Sequence, residues 1–309
     1  MERRSHQPVA RLPRRDPRGH KGTFGTVAIV GGCATADSIM AGAPALAALG
    51  ALRAGGGLAR LMVPSGIAAT ALAICPSATC TPLPLDAAGR LIPSACCEVL
   101  DAACESSRCV VIGPGMGGDS AVANLTLRVL QQESTPVVVD ADALNALATI
   151  PDLHLDLRAA AVLTPHPGEF RRLAGVLRIR EDPTDEATRP RAAEALAQKL
   201  GAIVVLKGAG TVVTDGHETW VCGAGHPCLA TAGSGDVLSG VIAGLVAQHA
   251  SMSASRPGSL SLLDCVRIGV QAHALAGERW ASSRGAEAGL IAIELAAELP
   301  AVLADFVTE

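Results

Sequence analysis

Tyrosine is absent from this chain, and only two tryptophans and three phenylalanines occur among its 309 residues. A core with so few rings has to be filled by Ala, Val, Leu and Ile, which suits helices packed closely on a parallel sheet. C-x-x-C spacing is also missing from the ten cysteines, Cys33, Cys75, Cys80, Cys96, Cys97, Cys104, Cys109, Cys222, Cys228 and Cys265, and none combines with histidine at zinc spacing. Most lie in apolar or alanine-rich stretches, where a thiol packs as a small hydrophobe. A reduced, cytoplasmic protein is the simplest expectation. The N-terminal arginines are followed by no apolar h-region, so no secretory signal is expected. Alanine-rich stretches such as 41–54 are broken by Gly, Pro or Arg before they reach bilayer length, so no membrane role is expected either. A G-x-x-x-x-G-K-[ST] loop is lacking, which argues against an ordinary P-loop NTPase.

What is present points to one large α/β domain. Hydrophobic residues make up 49% of the chain and the formal net charge is −4. The main basic cluster, Arg3, Arg4, Arg11, Arg14, Arg15 and Arg18, falls in a Pro-containing arm over residues 1–19. A solvated, disordered tail is the expectation there, and no nucleic-acid partner. From residue 20 onward, short apolar runs alternate with helical patterns. Strands are expected at Thr26–Val30, Leu58–Val63, Cys109–Ile112, Pro136–Val139, Ala160–Leu163 and Ala202–Leu206, with helices at Ser38–Ala54, Ser120–Gln132, Ala143–Ala148 and Asp185–Leu200. A hairpin is expected through Thr211–Thr214 and Glu218–Cys222, turned at Asp215-Gly216, before a mainly helical C-terminal third. The alternation implies a mostly parallel sheet covered on both faces, with ligands at the carboxyl ends of its strands. Linker-like pieces are 1–19, 178–191 and 251–259.

Several expected loops carry chemistry. Gly233-Ser234-Gly235-Asp236 opens a long apolar helical pattern. Its glycines and helix dipole suit a phosphate, and a carboxylate beside that anion hole fits a base that deprotonates a hydroxyl about to be phosphorylated. The plainer reading is a helix start capped by Ser234 or Asp236. The run Gly113-Pro114-Gly115-Met116-Gly117-Gly118 satisfies G-x-G-x-x-G after a strand, with Asp119 and Ser120 as helix caps and Asp140 near the distance of a ribose-binding acid. A tight crossover is the alternative to a dinucleotide site. Asp140 and Asp142 suit either a hydrated Mg²⁺ or helix capping. In Thr164-Pro165-His166-Pro167-Gly168-Glu169-Phe170, two prolines hold His166 in a fixed loop, for ligand binding or for structure alone. The turn Lys207-Gly208-Ala209-Gly210-Thr211 offers amides and one ammonium to a nucleotide.

In order along the chain, HKGTFG at 20–25, GAPAL at 42–46, GPGMG, DADALN, TPHPGEF, LKGAGT and ATAGSGDVLSG resemble the ADP-dependent NAD(P)H-hydrate dehydratases of the ribokinase-like superfamily, over roughly residues 12–304. The resemblance implies a ribokinase-like three-layer sandwich. It also implies an enzyme, a hydro-lyase that returns the (6S) hydrate of NADH or NADPH to NAD(P)H while ADP becomes AMP and phosphate. By the same resemblance, Ala43, Gly115, Gly117, His166 and Asp236 contact the hydrate, with Asp236 as catalytic base. Lys207, Gly208, Ala209, Gly210, Thr211 and Gly235 hold ADP, the co-substrate. The amides of Gly233, Ser234 and Gly235 form the anion hole, assisted by Mg²⁺ held through water by Asp140 or Asp142. Family members are often fused behind an NAD(P)H-hydrate epimerase domain; here that partner is expected on a separate chain, and a homo-oligomer, a tetramer, is expected. Gly225-His226-Pro227-Cys228 departs from the usual Asn-x-Pro-Gly pattern, which leaves detail of the nucleotide pocket open. The rival functions are a ribokinase-like kinase of a vitamin precursor or sugar, and a non-catalytic nucleotide-binding protein.

Overall fold

The computed structural model describes residues 9–35, 37–153, 157–250 and 259–308. Arg3, Arg4 and positions 251–258 of the expected linker lie outside the described residues. Among the described residues, eleven strands and ten α-helices follow in the order β1 (Thr26–Val30), β2 (Cys33–Ala34), β3 (Ile39–Met40), α1 (Gly42–Arg53), β4 (Leu58–Met62), α2 (Ala68–Ile74), β5 (Thr79–Cys80), α3 (Pro93–Ser106), β6 (Cys109–Ile112), α4 (Ala121–Leu130), β7 (Val137–Val139), α5 (Ala141–Leu147), β8 (Ala161–Leu163), α6 (Pro167–Leu177), α7 (Arg189–Leu200), β9 (Ile203–Leu206), β10 (Val212–Thr214), β11 (Thr219–Val221), α8 (Ser234–His249), α9 (Leu262–Arg284) and α10 (Ala292–Ala304).

Nine strands form one sheet in the order β11-β10-β9-β8-β7-β6-β1-β4-β5. Pairing is parallel from β9 through β5, and β10 and β11 add an antiparallel hairpin at one edge. Alternation along each strand divides the core into two layers. On β1, Val27 and Ile29 join the cluster under α1, α2, α8, α9 and α10, while Ala28 and Val30 join the one under α3 to α7. The result is the three-layer arrangement expected, filled by small aliphatic side chains. Chain direction reverses its march across the sheet beside β1, so the loops after β1 and β6 meet at a switch point, where the Gly32 amide donates to the Pro114 carbonyl at 2.8 Å.

The sequence reading needs four corrections. Residues 38–41 are not helical: Ile39 and Met40 pair with Ala34 and Cys33 in a small hairpin, and α1 starts at Gly42 with Pro44 in its first turn, where a missing N–H costs nothing. Helix α7 begins at Arg189 rather than Asp185, again with a first-turn proline, Pro190. Short amphipathic segments with weak patterns, α2, β5 and α3, were not expected, and TPHPGEF opens α6 instead of remaining a loop. Finally, residues 9–19 are not a solvated tail. Leu12 is buried and exchanges backbone hydrogen bonds with Phe306 and Thr308. Arg11 donates to the Asp305 carbonyl, Arg14 to that of Thr308 and Arg15 to that of Gly55, while Arg15 stacks 3.5 Å over Phe24. These cations meet the carbonyl-rich ends of α10 and α1, where positive charge is favourable. Among the described residues, no helix is long and apolar enough to cross a membrane.

Candidate functional site

The chemistry-bearing loops converge at the carboxyl edge of the sheet around one ammonium group. Lys207 leaves the end of β9, and its Nζ lies 2.7 Å from Asp140 Oδ1 and 3.8 Å from Glu169 Oε2. Burial works against this ammonium, but Asp140, Glu169 and Asp236 outweigh it and hold its pKa above the ordinary lysine value. Asp140 follows β7 and is 1% exposed. Its other oxygen accepts a hydrogen bond from Ser239 Oγ on α8. Burial opposes its ionisation, yet Lys207 and these hydrogen bonds keep it below the usual carboxylate range. Asp140 is thus the counter-ion of Lys207. Its side chain makes no capping hydrogen bond to α5, although Asp140 stands at that helix's N-cap position.

The neighbouring acids behave in the opposite way. Asp236 sits in the first turn of α8, after Gly233 at φ +84°, and burial together with the Asp140 charge pushes its pKa up to about 7. Glu169, 4% exposed, is pushed by burial to about 7 despite Lys207. Two carboxyls that exchange protons near neutrality therefore flank a lysine that stays charged, a separation of pKa values of the kind acid–base sites use. Neither Ser234 nor Asp236 caps α8 with its side chain, so the first-turn amides of Gly235 and Asp236 have no helical acceptor. They face the same region as the dipole's positive end, which suits an anion.

His166 has a dual position. It caps α6: its Nδ1 accepts from the amides of Gly168 (2.9 Å) and Glu169 (3.3 Å), while Glu169 Oε2 accepts from the His166 amide. A ring whose Nδ1 accepts carries its proton on Nε2. Burial and the Lys207 charge depress its pKa, so the imidazole is a neutral Nε2–H donor, half exposed at the cavity. The 3.5 Å approach of Nε2 to Glu169 Oε1 is accordingly not an ion pair.

The structure groups the expected residues into two adjoining halves. His166, Lys207, Gly208, Ala209, Gly210, Thr211, Ser234 and Gly235 line one cavity of about 770 Å³. Its far wall is apolar, with Leu238, Val270 and Ala274, and His226 stands at its edge, where its Nδ1 caps the turn at Pro227–Leu229. In the second half, the hairpin and α1 meet the glycine loop. At Gly115, φ +67° disfavours any side chain, and a Cβ would lie a tight 3.1 Å from the Cβ of both Ala43 and Met40. Gly113, at φ +122°, has the Asp140 carbonyl 1.8 Å from where its Cβ would be, which explains the glycine at the loop's first position. Asp142 Oδ2 accepts from the Gly117 amide at 2.8 Å, tying this half to α5. Asp142 and Asp140 both add to the field at Asp236, which joins the halves.

Three further polar residues, Glu169, Ser239 and His273, belong to the site. Glu169 was legible as the fourth member of an H-P-G-E capping box. Ser239 and His273 gave no local signal. His273, buried on α9 and pushed down to about 4 by burial, sits neutral with Nε2 2.9 Å from the Ser234 carbonyl, fixing the start of α8. Among the described residues, no group of three or more His, Cys, Asp or Glu side chains is arranged to hold a metal. An all-protein Mg²⁺ cage does not fit. Asp142, with one oxygen engaged by the Gly117 amide, would be the acid to hold the water shell of a hydrated Mg²⁺.

A family profile described as NAD(P)H-hydrate dehydratase matches residues 27–301. The bifunctional NAD(P)H-hydrate repair enzyme Nnr of Moorella thermoacetica is 39% identical over 298 residues, covering 95% of this chain and 52% of its own length. The Salinibacter ruber enzyme of the same name is 36% identical over 295 residues, covering 95% and 51%. The chain therefore spans about half the length of these curated relatives. A solved structure, the ADP/ATP-dependent NAD(P)H-hydrate dehydratase of Bacillus subtilis co-crystallised with ATP and Mg²⁺, superposes with a TM-score of 0.74 at 28% identity, covering 97% of this chain and 99% of that one.

Proposed function

The chain belongs to the NAD(P)H-hydrate dehydratase family, and we propose that it catalyses the ADP-dependent dehydration of the (6S) hydrate of NADH or NADPH, giving NAD(P)H, AMP and phosphate. One observation carries the reading: a carboxyl poised near neutrality, Asp236, stands in the first turn of α8 beside unpartnered amides and a permanently charged lysine. Asp236 takes the proton of the ring hydroxyl as that oxygen attacks the terminal phosphorus of ADP, and AMP departs. The ring nitrogen's lone pair then expels phosphate, and a proton leaves the neighbouring ring carbon to restore the double bond. Phosphorylation converts hydroxide, a poor leaving group, into a good one.

The remaining groups divide the work. Of the expected anion hole, Gly233 and Gly235 present amides to the transferring group while the Ser234 amide donates to the Thr231 carbonyl at 3.4 Å, and Lys207, held by Asp140, keeps a fixed positive charge next to Gly235. The turn Lys207–Thr211 takes the nucleotide. Ala43, Gly115 and Gly117 admit the hydrate by backbone approach, and His166 donates from Nε2 to it. Mg²⁺, when bound to the phosphates, supplies charge neutralisation, with Asp142 the acid available to its water shell. Free thiols at all ten cysteines suit a cytoplasmic location. A homotetramer, and an NAD(P)H-hydrate epimerase as functional partner, follow from the family resemblance.

Product analysis tests the reading. With hydrated NADH and ADP, the protein should yield NADH, AMP and orthophosphate, with ATP tried in parallel as donor. A stable phosphoester of another small molecule would instead identify a kinase. Unchanged ligands would identify a non-catalytic binder.

A further inference from the structure

Behind the nucleotide turn lies a buried guanidinium that the reaction above does not use. Arg189, the first residue of α7, is 7% exposed. Its Nη1 donates to the Pro183 carbonyl (2.8 Å), and its Nη2 donates to two consecutive carbonyls, Leu206 and Lys207, each at 2.7 Å. Among the described residues no carboxylate pairs with it, and its Nε–H has no acceptor. Burying a cation against neutral carbonyls alone is unfavourable, so its presence calls for a compensating interaction.

The turn itself supplies the reason. Successive carbonyls of a strand point to opposite sides, so two of them meeting one nitrogen marks the point where the chain leaves β9. Gly208 follows at φ +143°, where a Cβ would lie 2.8 Å from Nη2. On the front of the turn, the Lys207 amide donates to the Pro165 carbonyl at 2.9 Å and the Gly208 amide to Thr211 Oγ1 at 3.3 Å. Gly208, Ala209 and Gly210 line the 770 Å³ cavity in front and also a second cavity of about 740 Å³ behind, whose wall includes Arg189. A glycine-rich wall between two cavities has little packing to define its shape, and the Arg189 fork provides the anchor.

We propose that Arg189 is the positioning residue of the nucleotide turn, fixing Lys207–Thr211 for a nucleoside diphosphate while leaving the hydrate half of the site untouched. This rests on the assignment of the front cavity to ADP. Titration calorimetry with ADP, and the KM for hydrated NADH, measured on Arg189→Lys, test it. Lysine keeps the charge but cannot fork, so the Kd for ADP should rise about tenfold while the hydrate KM stays within about twofold, a split that general destabilisation does not produce. If Arg189→Lys does not fold, Arg189→Gln, whose amide can still donate to one of the two carbonyls, should give the same split. A folded variant of either kind that binds ADP as the parent does, or whose hydrate KM rises as much as its Kd, overturns the inference. A parent protein that binds no ADP overturns the functional reading as well, which separates the two failures.

Discussion

Replacing Asp236 by Asn should produce an enzyme that is nearly inactive and, above neutral pH, more stable than its parent. The amide keeps the size of the carboxyl but accepts no proton, and removal of a positioned base costs roughly 10²–10⁴ in rate. Stability follows from linkage. The folded pKa of Asp236 is about 7 against an ordinary 3.8, so between those values the native state holds a proton that the unfolded chain has released. Stability from this group is therefore fully present below pH 3.8 and is lost as pH rises through 7. At 1.36 kcal/mol per pH unit the penalty at alkaline pH is at most about 4 kcal/mol. Glu169 titrates in the same range and shares the field, so about half of that, or a few degrees in thermal midpoint, is the working expectation. The assay is a pair of thermal melts, parent and Asp236→Asn, at pH 5 and pH 8, beside turnover of hydrated NADH. Asp236→Asn should gain on its parent between the two pH values. Turnover within about threefold of the parent, or a stability difference that ignores pH, would refute the assignment of a buried base.

Both His166→Ala and His166→Asn should raise the KM for the hydrate by more than the Kd for ADP, whose cavity His166 also lines; Asn can still cap α6, so only Ala should lose about 1 kcal/mol of stability by denaturant unfolding. Lys207→Met strands Asp140 as a buried, unpaired carboxylate and should cost about 3–5 kcal/mol near neutral pH, less in acid where Asp140 can protonate, a trend that unfolding at two pH values checks. Gly240→Ala would bring a Cβ within 1.9 Å of the Ala47 carbonyl and drive α8 away from α1, a cost of about 1–3 kcal/mol that outweighs the roughly 1 kcal/mol gained in helix propensity. Gly175→Ala, on an open face of α6, should show that gain alone and raise the melting temperature.

The parallel sheet was legible because its strands are short, continuous apolar runs: β1 and β6 appear at their expected bounds. Elements with mixed composition were not. α3 carries cysteines and acids in a weak pattern, and β3 is two residues whose pairing with β2 depends on a turn rather than on periodicity. At the site, loop chemistry read from glycines and prolines indicated which segments meet. It did not indicate who pairs with whom. Asp140 and Lys207 are 67 positions apart and Asp140 and Ser239 are 99 apart, so only the sheet order reveals that the acid is the counter-ion of that lysine. The same holds for Arg189, which lies in a charged stretch that reads as linker and is in fact buried beneath β9.

The central claim is that the ring hydroxyl leaves as phosphate, and the fate of its oxygen tests that claim most directly. Hydrated NADH carrying a heavy-oxygen label in the ring hydroxyl would be turned over with ADP, and the orthophosphate and water examined by mass spectrometry. Because the bond broken in elimination is the ring carbon–oxygen bond, the account predicts the label in orthophosphate, one labelled phosphate for each NADH recovered. Label released as water, with unlabelled phosphate formed alongside, would mean that ADP cleavage and dehydration proceed separately and would contradict the account.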